Sequence, residues 1–362
     1  MARPVPVRGL TEGAVLAAFA AVLALAAKYL PLVGAVAVFL CPLPLTVLTL
    51  RHGLRVAFLA AVVATGIGTM VGGVLIGGSI AVAFAPSGIA MGIGIRRQFS
   101  ATRIWLLTAG VAMASVVASA GLALLGLGID PRQELAQLIH LSAQSQQTAM
   151  QIYERLGINT AATRVVAAQM QQVMEVLPQL LPFLLITTGA STAYFNLLIG
   201  GAVLRRLRVD VPAFPPISMW RAPSWFLWTL PAGLACLMVS GAAWPPPAVP
   251  SATLRMLPPE DVAAIAQQVA VRFPVLASAG TNLVWLANVV FSLLGLITGW
   301  VLMERYAVPR WYRWIVIYLS MSPVFSLVAL LLGLADATYD LRSRWRQAAA
   351  PPITPARDPV VK

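Results

Sequence analysis

Thr188, Ser191, Thr192 and Asn196 recur at helical spacing inside an otherwise apolar run, LPFLLITTGASTAYFNLLIGG at 181–201. Hydroxyls and a carboxamide donate and accept hydrogen bonds without carrying charge, so such a face can hold a small solute or tie one helix to another. A second feature, CPLPLTVLTLRHGLR at 41–55, places Pro42 and Pro44 in an apolar run. Each proline removes a backbone donor and frees a carbonyl, which in hydrocarbon must be satisfied by neighbouring protein or a watered cavity. The expected arrangement is an irregular segment at Leu40–Pro44, with Thr46 and Thr49 satisfying freed groups. Pro42 and Pro44 would then form a small pocket with Thr188, Ser191, Thr192 and Asn196. The competing reading is a packing kink whose polar neighbours only link helices. Asn282, Asn288 and Ser292 make a weaker stripe of the same kind.

The remaining inventory is poor in catalytic groups. His52 and His140 are the only histidines, and no HExxH or histidine-rich metal cluster is possible. Lys28 and Lys362 are the only lysines, so the chain cannot itself be a P-loop ATPase. The glycines of GIGTMVGGVLIGG at 66–78 lack a following lysine, and close helix packing with a membrane turn explains them. A proton relay needs acids within the spans, yet only Glu304, Asp336 and Asp340 come near and all three fall at expected ends. Cys41 and Cys236 have no CxxC spacing and read as buried thiols. An enzyme is not expected, nor a metal or cofactor.

The elements that position these groups are membrane helices. Hydrophobic residues make up 59% of the chain and charged residues 10%, too little polar surface to cover a water-soluble globule of 362 residues. The net charge of +13 comes almost wholly from arginine. In such a chain it records topology and contact with anionic lipid headgroups rather than nucleic acid. Charges are costly at the bilayer centre and each crossing needs about 20 residues, so the gaps between charged clusters count spans. The expected fold is all-α, a polytopic helical membrane protein of about nine transmembrane helices. With the N-terminus cytoplasmic, the inner loops collect most of the arginines, among them Arg51, Arg55, Arg96, Arg97, Arg103, Arg205 and Arg206. The plasma (inner) membrane is the expected location. Arg313 to Asp336 allows a ninth span, but the basic tail then falls outside unless the chain is broken or re-entrant near Pro323.

Three regions follow. Residues 1–208 form a six-helix membrane domain with an outer amphipathic insert at 130–177. Residues 209–340 form a three-helix domain with an outer amphipathic helix at 257–273. Residues 341–362 form a disordered basic tail. In the first span, Ala14/Ala18 and Ala17/Ala21 are small residues four apart, which lets another helix approach closely. That helix is either an internal neighbour or another subunit. Trp220, Trp225 and Trp228 form an aromatic belt, and Trp311, Tyr312 and Trp314 another.

RGLTEGAVLAAFAAVLAL, LPLTVLTLRHGL, WRAPSWFLW and GLADATYDLRSR together resemble the YybS-like family of bacterial membrane proteins, whose function is uncharacterised. The first six spans are also similar to the substrate-binding S-components of energy-coupling-factor (ECF) vitamin transporters. That resemblance implies binding of a small molecule, a transmembrane coupling subunit docked on Ala14, Ala17, Ala18 and Ala21, and separate ATPases. MreD-type cell-shape proteins look similar over the same spans, which implies a scaffold binding partner helices instead. The insert at 130–177 and the three further spans depart from an ordinary S-component.

Overall fold

The computed structural model describes residues 7–128, 130–155, 177–241, 274–320 and 323–349. Among these residues all regular secondary structure is helical. The chain divides into two compact units, residues 1–214 and 215–362, close to the boundary expected at 208. Seven helical stretches among the described residues are long and apolar enough to cross a membrane, six in the first unit and one in the second. Two shorter apolar helices, Ser224–Ser240 and Ser326–Tyr339, stand where two further crossings were expected. The chain is thus a polytopic all-α membrane protein.

In the first unit, α1 (Val7–Tyr29) is followed by α2 (Pro31–Leu40) and α3 (Leu43–His52). Together α2 and α3 make one span, Gly34–His52. The expected irregular segment at Leu40–Pro44 is narrower than predicted: only Cys41 and Pro42 leave the helix. Both keep right-handed dihedrals, φ/ψ of −52°/−40° and −70°/−20°. Pro44 causes no further break because it falls in the first turn of α3, where an N–H has no intrahelical partner to lose. Gly53, at φ 82°, turns the chain into α4 (Leu54–Gly72), and Gly73, at φ 84°, turns it again into α5 (Val74–Ser79). Only glycine takes such dihedrals without strain. The second turn stands where the glycine-rich run predicted one, whereas Gly77 lies within α5 and packs on Thr69.

A π-helical turn, Ile80–Phe84, joins α5 to α6 (Ala85–Arg96). Pro86 falls in the first turn of α6, a position that proline tolerates. Then come α7 (Ala101–Leu127), α8 (Pro131–Arg155) and, after a 3₁₀ turn at Leu177–Leu180, α9 (Leu181–Arg206). The 25-residue α8 stands in the expected amphipathic insert; residues 156–176 of that insert lie outside the described residues. The unit's core sets Ala17, Ala20, Ala21 and Ala24 of α1 with Ala57, Ala60, Ala61 and Ala64 of α4. Small side chains on both helices let the backbones approach, which is how helices associate where lipid offers no hydrophobic drive.

In the second unit, 3₁₀ turns at Ile217–Met219 and Ser224–Trp228 lead into α10 (Thr229–Ser240). α11 (Pro274–Arg305), α12 (Arg310–Leu319), α13 (Pro323–Tyr339) and α14 (Leu341–Ala349) follow. The helix expected at 257–273 lies outside the described residues. Glycines join the long helices. A Cβ on Gly333 would collide with Phe291 O, one on Gly295 with Ala329 O, and one on Gly280 would sit 2.8 Å from Gly233 O.

Between Arg313 and Asp336, α12 ends at Leu319 and α13 begins at Pro323, where the sequence left a break open as one alternative. One expectation changes: residue 341 is not the start of a disordered tail. Arg342 is buried, its guanidinium 2.7 Å from Asp336 Oδ2 and donating to Ser218 O (3.2 Å) and Trp220 O (2.6 Å). These bonds hold the first turn of α14 to the loop before α10. Trp225, Trp228, Trp311 and Trp314 are exposed, as interfacial anchors would be.

Candidate functional site

The break in the α2/α3 span forms one wall of a cleft of about 170 Å³ within the first unit. Pro42 faces it from the break, Ala83 and Phe84 from the π-turn, Ser87 from α6, Ala112, Ser115 and Ser119 from α7, and Thr188, Thr192 and Asn196 from α9. Pro42, Ser87, Ser115 and Asn196 are buried, while Ser119 and Thr188 are exposed, so the cleft has a buried floor and an open rim.

Local packing fixes each wall. α6 lies backbone to backbone on the α3 break through Gly88 and Gly92: a Cβ on Gly88 would collide with Pro42 O, and one on Gly92 would sit 2.6 Å from Thr49 Cβ. Thr46 Oγ1 lies 3.0 Å from Pro42 O and 2.9 Å from Gly88 O, so its single proton serves both helices. Thr49 donates within its own helix, to Leu45 O at 2.7 Å. Neither threonine reaches the carbonyls of Val38 and Leu40, the ones that Pro42 and Pro44 free: Pro42 O already accepts from Thr46 N at 3.1 Å, so the two hydroxyls reinforce carbonyls beside the break rather than satisfy freed ones. On the far side α9 is held to α7 by the Trp105 indole, which donates to Ala190 O at 2.9 Å. Gly189 permits the approach, since a Cβ there would lie 3.2 Å from Ala109 O.

Of the six residues singled out in advance, the structure brings together Pro42, Thr188, Thr192 and Asn196. Pro44 is buried in the core and does not reach the cleft. Ser191 is exposed and donates to Thr187 O at 2.6 Å. The helical wheel explains the split, because positions 188, 192 and 196 advance by about 40° each whereas 191 turns the other way. Sequence reasoning missed Ser87, Ser115 and Ser119. The signals were the serine pair four apart in SVVAS and the GxxxG of Gly88–Gly92.

No ionisable side chain bounds the cleft. Its chemistry is that of hydroxyls and one amide, and the amide is incomplete. Asn196 is 3% exposed, and its Oδ1 has no hydrogen-bond partner among the described residues. Such a group can accept a hydrogen bond; it cannot drive acid, base or nucleophilic chemistry. Among the described residues no three His, Cys, Asp or Glu side chains gather closely enough to share a metal ion.

The alanine face of α1 divides. Ala17 and Ala21 are buried in the unit's core, while Ala14 and Ala18 are exposed. At the same end of the unit, Glu12 Oε1 lies 2.6 Å from Arg51 Nη1 and Glu12 Oε2 lies 2.7 Å from His52 Nε2, a partner the sequence did not suggest. Gly53 sits beside Arg96 at this end, where an added Cβ would be 2.9 Å from Arg96 Nη1. Cys41 is buried as expected, and Cys236 only partly so.

The family model described as "Predicted membrane protein (DUF2232)" matches residues 18–243, a stretch running from within α1 to beyond the end of α10 and containing every residue of the cleft. The protein named "Uncharacterized protein YybS" of Bacillus subtilis (strain 168) is 24% identical over 224 residues, which cover 60% of this chain and 68% of that relative. No solved structure matches the chain. The YybS-like resemblance carried by the sequence motifs therefore holds, and the chain belongs to the DUF2232 family of predicted membrane proteins.

Proposed function

We propose that this chain is a membrane-embedded binding protein rather than an enzyme, and that the cleft walled by the α3 break, α6, α7 and α9 takes a small solute. The observation that carries the reading is the cleft itself, which sets Ser87, Ser115, Thr192 and Asn196 among apolar groups. The S-component resemblance extends the reading to solute uptake, with a coupling subunit docked on α1 and separate ATPases as partners. Arg51, Arg96 and the start of α1 share one end of the unit, which supports a cytoplasmic N-terminus in the plasma membrane and contact with anionic lipids there. Native mass spectrometry of the full chain tests the site. The wild type should retain a small-molecule mass that Asn196→Leu and Thr192→Val lose while still folding. Equal retention in both variants would remove the site.

A second reading, a scaffold that binds partner helices, is favoured by the exposure of Ala14 and Ala18. There, Ala18→Leu should abolish recovery of a membrane partner and leave any retained ligand in place. Unchanged partner recovery counts against it.

A further inference from the structure

We propose that α12 and α13 form a re-entrant hairpin, which enters and leaves the membrane on one face, so that α14 and the chain beyond it lie on the cytoplasmic side. The proposal concerns the second unit alone and does not depend on the binding reading above.

Helix direction is the first observation. α10 and α11 run antiparallel: the rings of Phe226 and Phe291 lie 5.5 Å apart just before α10, whereas Gly233, further along α10, packs on Gly280, nearer the start of α11. α13 instead runs parallel to α11. Gly295 meets Ala329 and Gly333, and further along both helices Arg305 donates to Trp345 O at 3.3 Å. The loop before α10 gathers at this same end, since Arg342 donates to Ser218 O and Trp220 O and Arg221 lies 2.9 Å from Asp340. Two successive helices that point the same way require the chain between them to travel back.

Length is the second. α12 starts beside the end of α11: Arg313 lies 5.3 Å from the centroid of the Trp300 ring and 3.5 Å from Glu304 Oε1, and the Trp314 ring meets Trp300 at 5.5 Å. From Pro323 to Tyr339, α13 runs about 24 Å. The four residue steps from Leu319 to Pro323 reach at most about 14 Å. α12 therefore cannot lie flat at the end of α11; it must climb beside the other helices to meet the start of α13. With 10 residues it climbs about 15 Å, half of the roughly 30 Å of hydrocarbon, so it ends within the membrane.

Charge is the third. Arg221, Arg305, Arg310, Arg313 and the arginines of α14 stand at the end where α11 and α13 finish, and Glu304, Asp336 and Asp340 pair there with Arg313, Arg342 and Arg221. Among the described residues the opposite end, at Ser240 and Pro274, carries no charge. Arginine collects on the cytoplasmic side. A hairpin keeps Arg342 and Arg344 there with Arg305 and Arg310, where a single crossing would part them.

Labelling of single added cysteines with a membrane-impermeant maleimide, in spheroplasts carrying the full chain, tests the topology; the wild type, with Cys41 and Cys236, is the blank. Val275, Arg310, Tyr318 and Arg344 are exposed positions. Val275→Cys should be labelled in intact spheroplasts, and Arg310→Cys and Arg344→Cys only after permeabilisation. Tyr318→Cys should resist the reagent from both sides and react once SDS dissolves the membrane. Labelling of Arg344→Cys in intact spheroplasts, with Arg310→Cys protected, would mean a crossing between them and overturn the hairpin. Labelling of Tyr318→Cys before SDS, from either side, would put the end of α12 outside the hydrocarbon and overturn the re-entrant turn. Green fluorescent protein fused after Lys362 checks the tail with the native sequence intact, because it fluoresces in the cytoplasm and stays dark when exported unfolded. The fusion should be bright; a dark full-length fusion overturns the cytoplasmic placement.

Discussion

Gly88 and Pro42 meet backbone to backbone, so closely that a Cβ on Gly88 would collide with the Pro42 carbonyl oxygen. The break in the α2/α3 span is therefore covered by protein on the α6 side. Irregular backbone within a membrane span is tolerated where protein rather than lipid covers it.

Replacing Gly88 by alanine should force α6 from α3 and destabilise the protein by about 1–3 kcal/mol, the usual cost of overpacking. Gly110→Ala is the matched control, because nothing lies within 4 Å of a Cβ there. Thermal unfolding in nanodiscs should separate them, with Gly110→Ala unchanged or slightly raised by helix propensity.

Thr46 is the hydroxyl that serves Pro42 O and Gly88 O together. Thr46→Val keeps the shape and removes the donor, and should cost about 1 kcal/mol; Thr46→Ser keeps the donor and should recover most of that loss. Equal unfolding midpoints for Val and Ser would show that shape alone matters at this position.

In the second unit the Asp336–Arg342 pair is buried on both sides. Arg342→Met strands the Asp336 carboxylate and two loop carbonyls, and a loss of about 3–5 kcal/mol is expected. Adding Asp336→Leu should recover part of it, short of the wild type because Ser218 O and Trp220 O still lack their donor. A double-mutant cycle on unfolding free energies reads the coupling.

Gly333→Ala should separate α11 from α13, where Gly299→Ala should be tolerated, since the nearest atom to its Cβ is Leu332 Cδ2 at 3.7 Å. Proteolysis of the second unit offers a direct comparison, with faster cleavage for Gly333→Ala only.

Much of this was legible in the sequence because membranes impose simple constraints. Charge spacing found the six spans of the first unit, and Thr188, Thr192 and Asn196 fell on one face because a helix repeats every 3.6 residues. What was not legible depends on contacts between helices. Spacing cannot say that Ala17 and Ala21 face α4 while Ala14 and Ala18 face outward; only the neighbour decides. Pro44 looked equivalent to Pro42, yet the register of α3 placed it in a first turn where its missing donor has no consequence. Ser87 is a lone serine, and the Ser115/Ser119 pair shows a helical face without saying which neighbour it meets; only the closure of α6 and α7 around the break decides that. Arg342 read as a tail residue since its partners at 218 and 220 lie more than a hundred positions away.

The central claim is that the buried Oδ1 of Asn196, a residue of the cleft wall, has no hydrogen-bond partner inside the protein. The unfolding midpoint of ligand-free Asn196→Leu, set beside that of the ligand-free wild type, tests it most directly. The account predicts that the midpoint rises, because a buried acceptor without a donor is replaced by an apolar group of similar size, with a gain of about 1–3 kcal/mol. A fall of comparable size would mean that the amide already has its partners inside the protein, and the claim would be wrong.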